Sequence, residues 1–241
     1  KLIARMSKMK FFDPACGSGN FLIITYKELR ALEIEILQRI IEIQTPTLLE
    51  YTEIKLSQFY GIELDDFAHE MARLSLWLAE HQMNNIFEER LAGYGESKPI
   101  LPLKEAGRIV QGNAARKNWK EICSIGKDDE VYIIGNPPYL GSRNQDDEQK
   151  KDMKFVFIND YKSLDYVSIW FYKGAKYIEK NNAKLAFVST NSICQGEQIA
   201  ITWPRILNDD IEIGFAYESF KWSNHAKGNA GVTVIIVGLR N

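Results

Sequence analysis

The chain has little of what several protein classes require. It contains three cysteines, Cys16, Cys123 and Cys194, and three histidines, His69, His81 and His225. No CxxC or HxxxH spacing occurs, so neither a structural nor a catalytic metal site is expected. An odd, widely spaced cysteine set argues against a disulfide framework and for a reducing cytoplasm. No apolar run reaches the ~18 residues of a membrane span, so no membrane partner is expected. There is no excess of one charge: Lys plus Arg number 30, Asp plus Glu 32. A domain-wide basic footprint is thus missing, and nucleic acid would be held weakly by these residues alone. There is no signal-peptide pattern after Lys1 and no initiator Met. Both ends look cut, and residues 1–241 read as one domain of a longer polypeptide. What the chain does have is core material: 12 Phe, 11 Tyr and 5 Trp within 45% hydrophobic residues, too many for disorder.

Strand-like and helix-like segments alternate. Strands are expected over 10–13, 58–63, 108–111, 131–134, 184–189, 211–217 and 232–239. A helix over 20–43 should bury Leu22, Tyr26, Leu29, Ile36, Ile40 and Ile43. A second, over 66–84, should bury Phe67, Met71, Leu74 and Leu78. A third covers 164–179. Residues 88–107 read as loop, and 141–162 as a polar stretch with five basic and five acidic residues. The gap between the last two strands is too short for a helical crossover, so they should pair antiparallel. The expected fold is α/β: a Rossmann-like, seven-stranded, mostly parallel sheet with an antiparallel last strand. That is the pattern of class I methyltransferases dependent on S-adenosylmethionine. Ligands should sit at the carboxyl ends of the first and fourth strands.

Both glycine-rich signals lie there. Asp13-Pro14-Ala15-Cys16-Gly17-Ser18-Gly19 follows the first strand. Gly17 and Gly19 permit a tight turn and close backbone approach. A third glycine is missing, so the dinucleotide fingerprint is not met, and no Gly-Lys-Ser/Thr follows to make a P-loop. An acid before the loop disfavours phosphate and suits an ammonium or sulfonium group. A lone GxG would otherwise be a plain strand-to-helix turn. Glu63 ends the second strand, where a carboxylate can accept from ribose hydroxyls; the alternative is helix capping, which falls to Asp65 or Asp66. In Gly112-Asn113-Ala114 the Asn113 amide could read an adenine edge, or simply form a turn.

Asn136-Pro137-Pro138-Tyr139 is the sharpest motif. The prolines fix the backbone and remove two donors. The Asn136 side-chain oxygen and the Pro137 carbonyl are left to accept from a planar NH2 group, turning its lone pair outward. Tyr139 offers a face for stacking a base, worth ~1–3 kcal/mol. The bland alternative is a rigid turn with a packed Tyr. Between the last two strands, residues 220–230 hold Phe220, Lys221, Trp222, His225 and Lys227. Read functionally they stack a base and contact phosphate; read blandly they are a solvated hairpin. Cys194 reads as a small buried thiol rather than a nucleophile, and His225 as a solvated loop residue. Lys150, Lys151 and Lys154, interleaved with Asp146, Asp147, Glu148 and Asp152, read as a solvated mixed face.

On residues 13–19, 112–114, 136–139, 189–198 and 220–230, with 168–173 in outline, the chain resembles N6-adenine DNA methyltransferases of the gamma arrangement. It is most similar to bifunctional type II restriction–modification proteins. The resemblance covers nearly all of the sequence. It implies S-adenosylmethionine across Asp13, Pro14, Ala15, Cys16, Gly17 and Gly19, with ribose on Glu63 and adenine near Leu64, Asn113 and Ala114. It implies a target adenine flipped from double-stranded DNA, its amine on Asn136 and Pro137. The base would lie between Tyr139 and Phe220 or Trp222, with Lys221 and Lys227 nearby. Methyl transfer would need no metal. Many relatives have Asp where Asn113 stands, and the segment that completes their methionine pocket would precede Lys1. Target recognition and any nuclease would lie outside these residues. Two other readings remain: a methyltransferase of RNA bases or of a protein glutamine amide, and a cofactor-binding module without catalysis. A nucleotide-dependent dehydrogenase is a third, distinguished by binding a dinucleotide.

Overall fold

The computed structural model describes residues 1–43, 52–92, 107–222 and 232–241. In chain order the elements are α1 (Leu2–Met6), β1 (Met9–Asp13), α2 (Asn20–Ile43), β2 (Phe59–Glu63), α3 (Asp66–Arg90) and β3 (Arg108–Gln111). There follow α4 (Trp119–Ile122), β4 (Glu130–Gly135), α5 (Asp147–Phe157), α6 (Ser168–Ile178), β5 (Ala183–Thr190), α7 (Glu197–Ile206), β6 (Glu212–Trp222) and β7 (Val232–Arg240). The strands form a seven-stranded sheet in the order β3-β2-β1-β4-β5-β7-β6. Strand β7 runs antiparallel to both β5 and β6, as the short connection requires. The chain divides into two compact units, Lys1–Gly112 with Gly126–Glu130, and Asn113–Ile125 with Val131–Asn241.

In the first unit β1, β2 and β3 are parallel, with Asp13 level with Gly61 and Glu63 level with Gln111. Phe11 stacks on Phe59 at 5.3 Å, and Tyr26 meets Phe59 edge-on. The expected buried face of α2 holds at Leu22 and Tyr26 but not further along, and that of α3 is not the expected one. On α2 the buried residues are Leu22, Tyr26, Arg30, Glu33, Ile34 and Leu37, and Ile43 is exposed. On α3 they are Ala72, Leu76, Ala79, Met83, Asn84 and Phe87, whereas Phe67, Leu74 and Leu78 are exposed.

The reason is an ion pair placed where an apolar stripe would exclude it. Arg30 is fully buried and lies 3.3 Å from the Glu33 carboxylate. Its guanidinium donates to the Tyr26 hydroxyl at 2.6 Å and to Asn84 Oδ1 at 3.0 Å, and lies over the Phe87 ring. Glu33 in turn accepts from the Thr52 hydroxyl and the Glu53 N–H. Two charges so removed from water persist only because each finds several partners.

In the second unit β4 and β5 are parallel. Helix α6 is buried along most of its length, with Phe171 edge-on to Phe187 and Trp203. The polar stretch after β4 is not all loop. Asp146 and Gln149 form a reciprocal cap, and the helix α5 follows. Of its acids Asp152 is buried rather than solvated. The long helix expected from Leu164 starts at Ser168, after a turn.

Arg30→Met should cost about 3–5 kcal/mol of unfolding free energy, because Glu33 is left buried without its cation. Pairing it with Glu33→Met should return part of that loss. Urea denaturation of both variants measures the difference.

Candidate active site

The glycine loop is built from β1 and β2. Asp13, buried at the end of β1, accepts the Ala15 N–H at 3.0 Å, which closes a turn over the buried Pro14. The Cys16 N–H reaches the Ile62 carbonyl of β2 at 3.1 Å, and the Gly19 N–H returns to the Cys16 carbonyl at 2.8 Å. Gly17 and Gly19 both have positive φ, +54° and +88°. A side chain at Gly19 would also press on Ala72 of α3 at 3.3 Å. Glu63 closes the loop from below. One of its oxygens accepts the Gly17 N–H at 2.8 Å, the other the Asp65 N–H at 2.9 Å. Capping of α3 falls to Asp65, which accepts the Ala68 N–H. Each Glu63 oxygen keeps a second lone pair for a hydroxyl donor. Leu64, beside it, is exposed.

The electrostatics of this loop are one-sided. Burial, above all, pushes the Asp13 carboxyl up to about 7; the Ala15 N–H pulls it down and the Glu63 carboxylate adds a further push upward. No cation is among the groups that set this value. The Cys16 thiol is pushed well up by burial and then by the same two acids, so it stays protonated and serves as packing. Two carboxyl groups at one tight turn make a place suited to a positive charge.

In the second unit, Asn113 forms the turn that was the alternative to base reading. Its Oδ1 accepts the Ala115 N–H and its amide donates to Asp152 at 2.7 Å, which leaves a second N–H and a second lone pair beyond these two bonds. Asp152 also accepts from Arg116 Nε at 2.6 Å and from the Tyr166 hydroxyl at 2.8 Å. Ala114 is buried, and its carbonyl accepts from Trp119 Nε1 and from Lys173 Nζ. Lys173 also caps the carbonyls of Ala115 and Lys117; burial lowers its pKa to about 8, with Asp152 opposing.

Asn136 follows directly on β4. Its Oδ1 is buried and accepts no hydrogen bond among the described residues. A buried carbonyl oxygen without a donor is costly and uncommon. Pro137 is buried, Pro138 exposed and Tyr139 half-buried. The segment is anchored at Leu140, whose N–H donates to Asp165 at 2.8 Å and whose carbonyl accepts from Tyr166 and Gln145. Sequence reasoning missed Asp165, Gln145 and Lys173. The available signal was one acid, Asp165, inside the apolar run 164–171.

The region after β5 and around β6 needs correction. Phe220 and Lys221 are not in a loop: β6 runs on to Trp222, with Phe220 opposite Val234 and Lys221 opposite Thr233. An irregularity between Tyr217 and Phe220 carries the strand past its expected end. Phe220 and Lys221 are exposed. The Trp222 side chain, His225 and Lys227 lie outside the described residues. Cys194 is exposed, not buried, because it ends a short 3-10 turn that buries Ile193 instead. Lys151 pairs with Glu148, in keeping with a solvated face.

Known proteins share this architecture. The chain matches, from residue 1 to residue 241, the family described as MmeI, DNA-methyltransferase domain. It is 54% identical over 239 residues to DNA methyltransferase A of Bacillus subtilis (strain 168), covering 98% of this chain and 27% of that protein. Type II restriction enzyme and methyltransferase RM.Eco57I of Escherichia coli is 26% identical over 174 residues, 64% of this chain and 17% of that one. Among solved structures, the Type IIL restriction-modification enzyme MmeI in complex with DNA superposes with a TM-score of 0.88 at 40% identity, over 98% of this chain and 32% of that one. The chain thus spans under a third of the length of the B. subtilis protein (27%) and about a third of MmeI (32%). With the match running end to end, the chain belongs to the MmeI DNA-methyltransferase domain family.

Proposed function

We propose that these residues form the catalytic domain of a site-specific, adenine-specific DNA methyltransferase. It would transfer a methyl group from S-adenosylmethionine to the exocyclic amine of an adenine flipped out of duplex DNA. Residues 1–241 would be one domain of a restriction–modification protein, with target recognition and any nuclease elsewhere in the polypeptide. The observation that carries the reading is the buried Asn136 oxygen that accepts no hydrogen bond. An amine N–H is the donor it lacks.

The cofactor fits the residues present. A sulfonium and an ammonium would find the Asp13 carboxyl, whose pKa of about 7 reflects burial above all. The ribose hydroxyls would find the second lone pairs of Glu63, and the exposed Leu64 an adenine face. Asn113, held by Asp152 and Ala115, would shape the turn at Ala114 and could still offer its second N–H or lone pair to the adenine edge. When bound, the cofactor supplies an electrophilic methyl carbon. The protein's part is orientation. Asn136 Oδ1 and the Pro137 carbonyl would take the two amine protons and turn the nitrogen lone pair toward the donor. As the nitrogen gains positive charge, both acceptors bind its protons more strongly, which favours the transition state over the ground state. Tyr139 would stack the extrahelical base, with Phe220 or Trp222 on its other face and Lys221 and Lys227 toward the phosphates. The solved complex of MmeI contains DNA, which favours a DNA base over RNA or a protein amide.

Asn136→Ala in the full-length protein should lower methyl transfer on the order of 10²–10³-fold while cofactor binding survives. Tritium transfer from labelled S-adenosylmethionine into unmethylated duplex DNA measures it. Unchanged transfer, or label found only in RNA or protein, would defeat the reading.

The Asp13 carboxyl supplies a pH test. Its folded pKa is raised, so the proton is held below pH 7, whereas a bound cation favours the carboxylate. Cofactor affinity should therefore weaken as pH falls, by up to tenfold per unit below about 7. Asp13→Asn should flatten this profile and weaken binding at pH 8. The same raised pKa means that Asp13 costs stability as pH rises from its ordinary range toward 7, so Asp13→Asn should melt higher at pH 8. Calorimetric titration from pH 5.5 to 8.5, with thermal melts alongside, checks both signs.

A further inference from the structure

Asn136 stands in irregular backbone, so no strand or helix ladder holds its side chain in place. What holds the segment is Leu140. Both of its backbone groups are used: the N–H donates to Asp165 Oδ1 at 2.8 Å, and the carbonyl accepts from the Tyr166 N–H and from Gln145 Nε2, each at 3.0 Å. Gln145 also donates to the Leu164 carbonyl, and Asp165 reaches further, to the segment after β5. Asp165 is 4% exposed. Its Oδ1 also takes the Val167 N–H at 3.2 Å; its Oδ2 takes the Ser192 hydroxyl at 3.0 Å and lies 3.5 Å from the Thr190 hydroxyl. Thr190 ends β5, and Ser192 follows it. Gln198 of α7 completes the clamp, accepting the Asp165 N–H and donating to the Ser163 carbonyl. One buried carboxylate thus ties the segment after β4 to the segment after β5.

We propose that Asp165 is a positioning residue for methyl transfer. It fixes the Asn136-Pro137-Pro138-Tyr139 segment through Leu140 and touches neither substrate nor cofactor. The inference rests on reading Asn136 as the acceptor of the target amine. An irregular segment carrying a reacting group must be held to a fraction of an ångström, since a misplacement of ~1 Å can cost about 10²-fold in rate. The role is geometric. A carboxamide at position 165 keeps it: its oxygen can still accept from Leu140 and Val167, and its NH2 faces two hydroxyls that can rotate to accept. Alanine at 165 leaves the Leu140 N–H and both hydroxyls without this partner.

The test uses the full-length protein and unmethylated bacteriophage DNA. Asp165→Ala should lower kcat for methyl transfer about 10–100-fold, with the cofactor Kd within about twofold of wild type. Asp165→Asn should stay within about fivefold of wild-type kcat. Wild-type kcat in Asp165→Ala would overturn the proposal. So would an equal fall in both variants, which would make the role one of charge, or a parallel loss of cofactor affinity and melting temperature, which would make it general support. Should Asp165→Ala fail to fold, Thr190→Val/Ser192→Ala removes the two hydroxyl donors; a fall in kcat of at least about fivefold with unchanged cofactor affinity supports the clamp, and an unchanged kcat overturns it. A wild-type protein that methylates no DNA defeats the functional reading itself, and the clamp with it.

Discussion

A carboxylate taken out of water must find donors, and that requirement fixes the loops of this protein. Asp13 takes one backbone N–H and closes the turn after β1. Glu63 takes two, one of them from Gly17, and so joins the end of β2 to the glycine loop. Asp152 gathers Asn113, Arg116 and Tyr166, joining α5 to the turn after β3. Asp165 does the same for the segments after β4 and β5. Asp13, Glu63 and Asp165 sit at or beyond the ends of regular elements, where the backbone still has groups to satisfy, whereas Asp152 lies within α5 and gathers side chains. Leaving such a group without its partner costs about 1–3 kcal/mol, more when it is charged. Loops that would otherwise wander are thereby confined to narrow geometries. Tyr166 links two of these nodes, its hydroxyl on Asp152 and its N–H on the Leu140 carbonyl.

What could be read from the sequence follows from how local each signal is. The strands, the glycine loop and the Asn136 motif were legible because a buried strand followed by glycines or prolines is a local pattern. The antiparallel last strand was legible because a short connection permits nothing else. The faces of α2 and α3 were not, because periodicity assigns charge to solvent and here Arg30 and Glu33 are in the core. Tertiary partners from Asn84, Thr52 and Glu53 make that placement possible, and none is near in sequence. Helix α5 hid behind its polarity, although the Asp146–Gln149 cap was its signature. Helix α7 hid in the stretch 195–206, whose glutamines, threonine and internal Pro204 obscure its period. The extension of β6 through Phe220 was missed because exposed Ile213, Phe215 and Tyr217 make a strand with no clear buried face. Asp165 was missed because a single acid carries no pattern.

The two halves of the chemistry call for opposite electrostatics, and the residues differ accordingly. A methyl donor of the sulfonium type is a cation before reaction and loses that charge on transfer. Around it, carboxyl groups favour binding; in the proposed site Asp13 and Glu63 would supply them, with burial first and repulsion by Glu63 last among the causes that raise the Asp13 pKa. The acceptor is a neutral amine that must become more nucleophilic without being protonated. A carboxyl group in the place of Asn136 would change its charge and its acceptor strength with pH. A carboxamide oxygen only accepts, and it never titrates in the working range. Its disadvantage is that, buried without a donor among the described residues, it would depend on the proposed substrate for a partner. That is acceptable only where the surrounding backbone is already held, as it is by β4 before Asn136 and by two prolines and Leu140 after it. In the proposed reaction the cost of that oxygen would be returned on binding by the same N–H groups whose hydrogen bonds strengthen as the nitrogen gains charge.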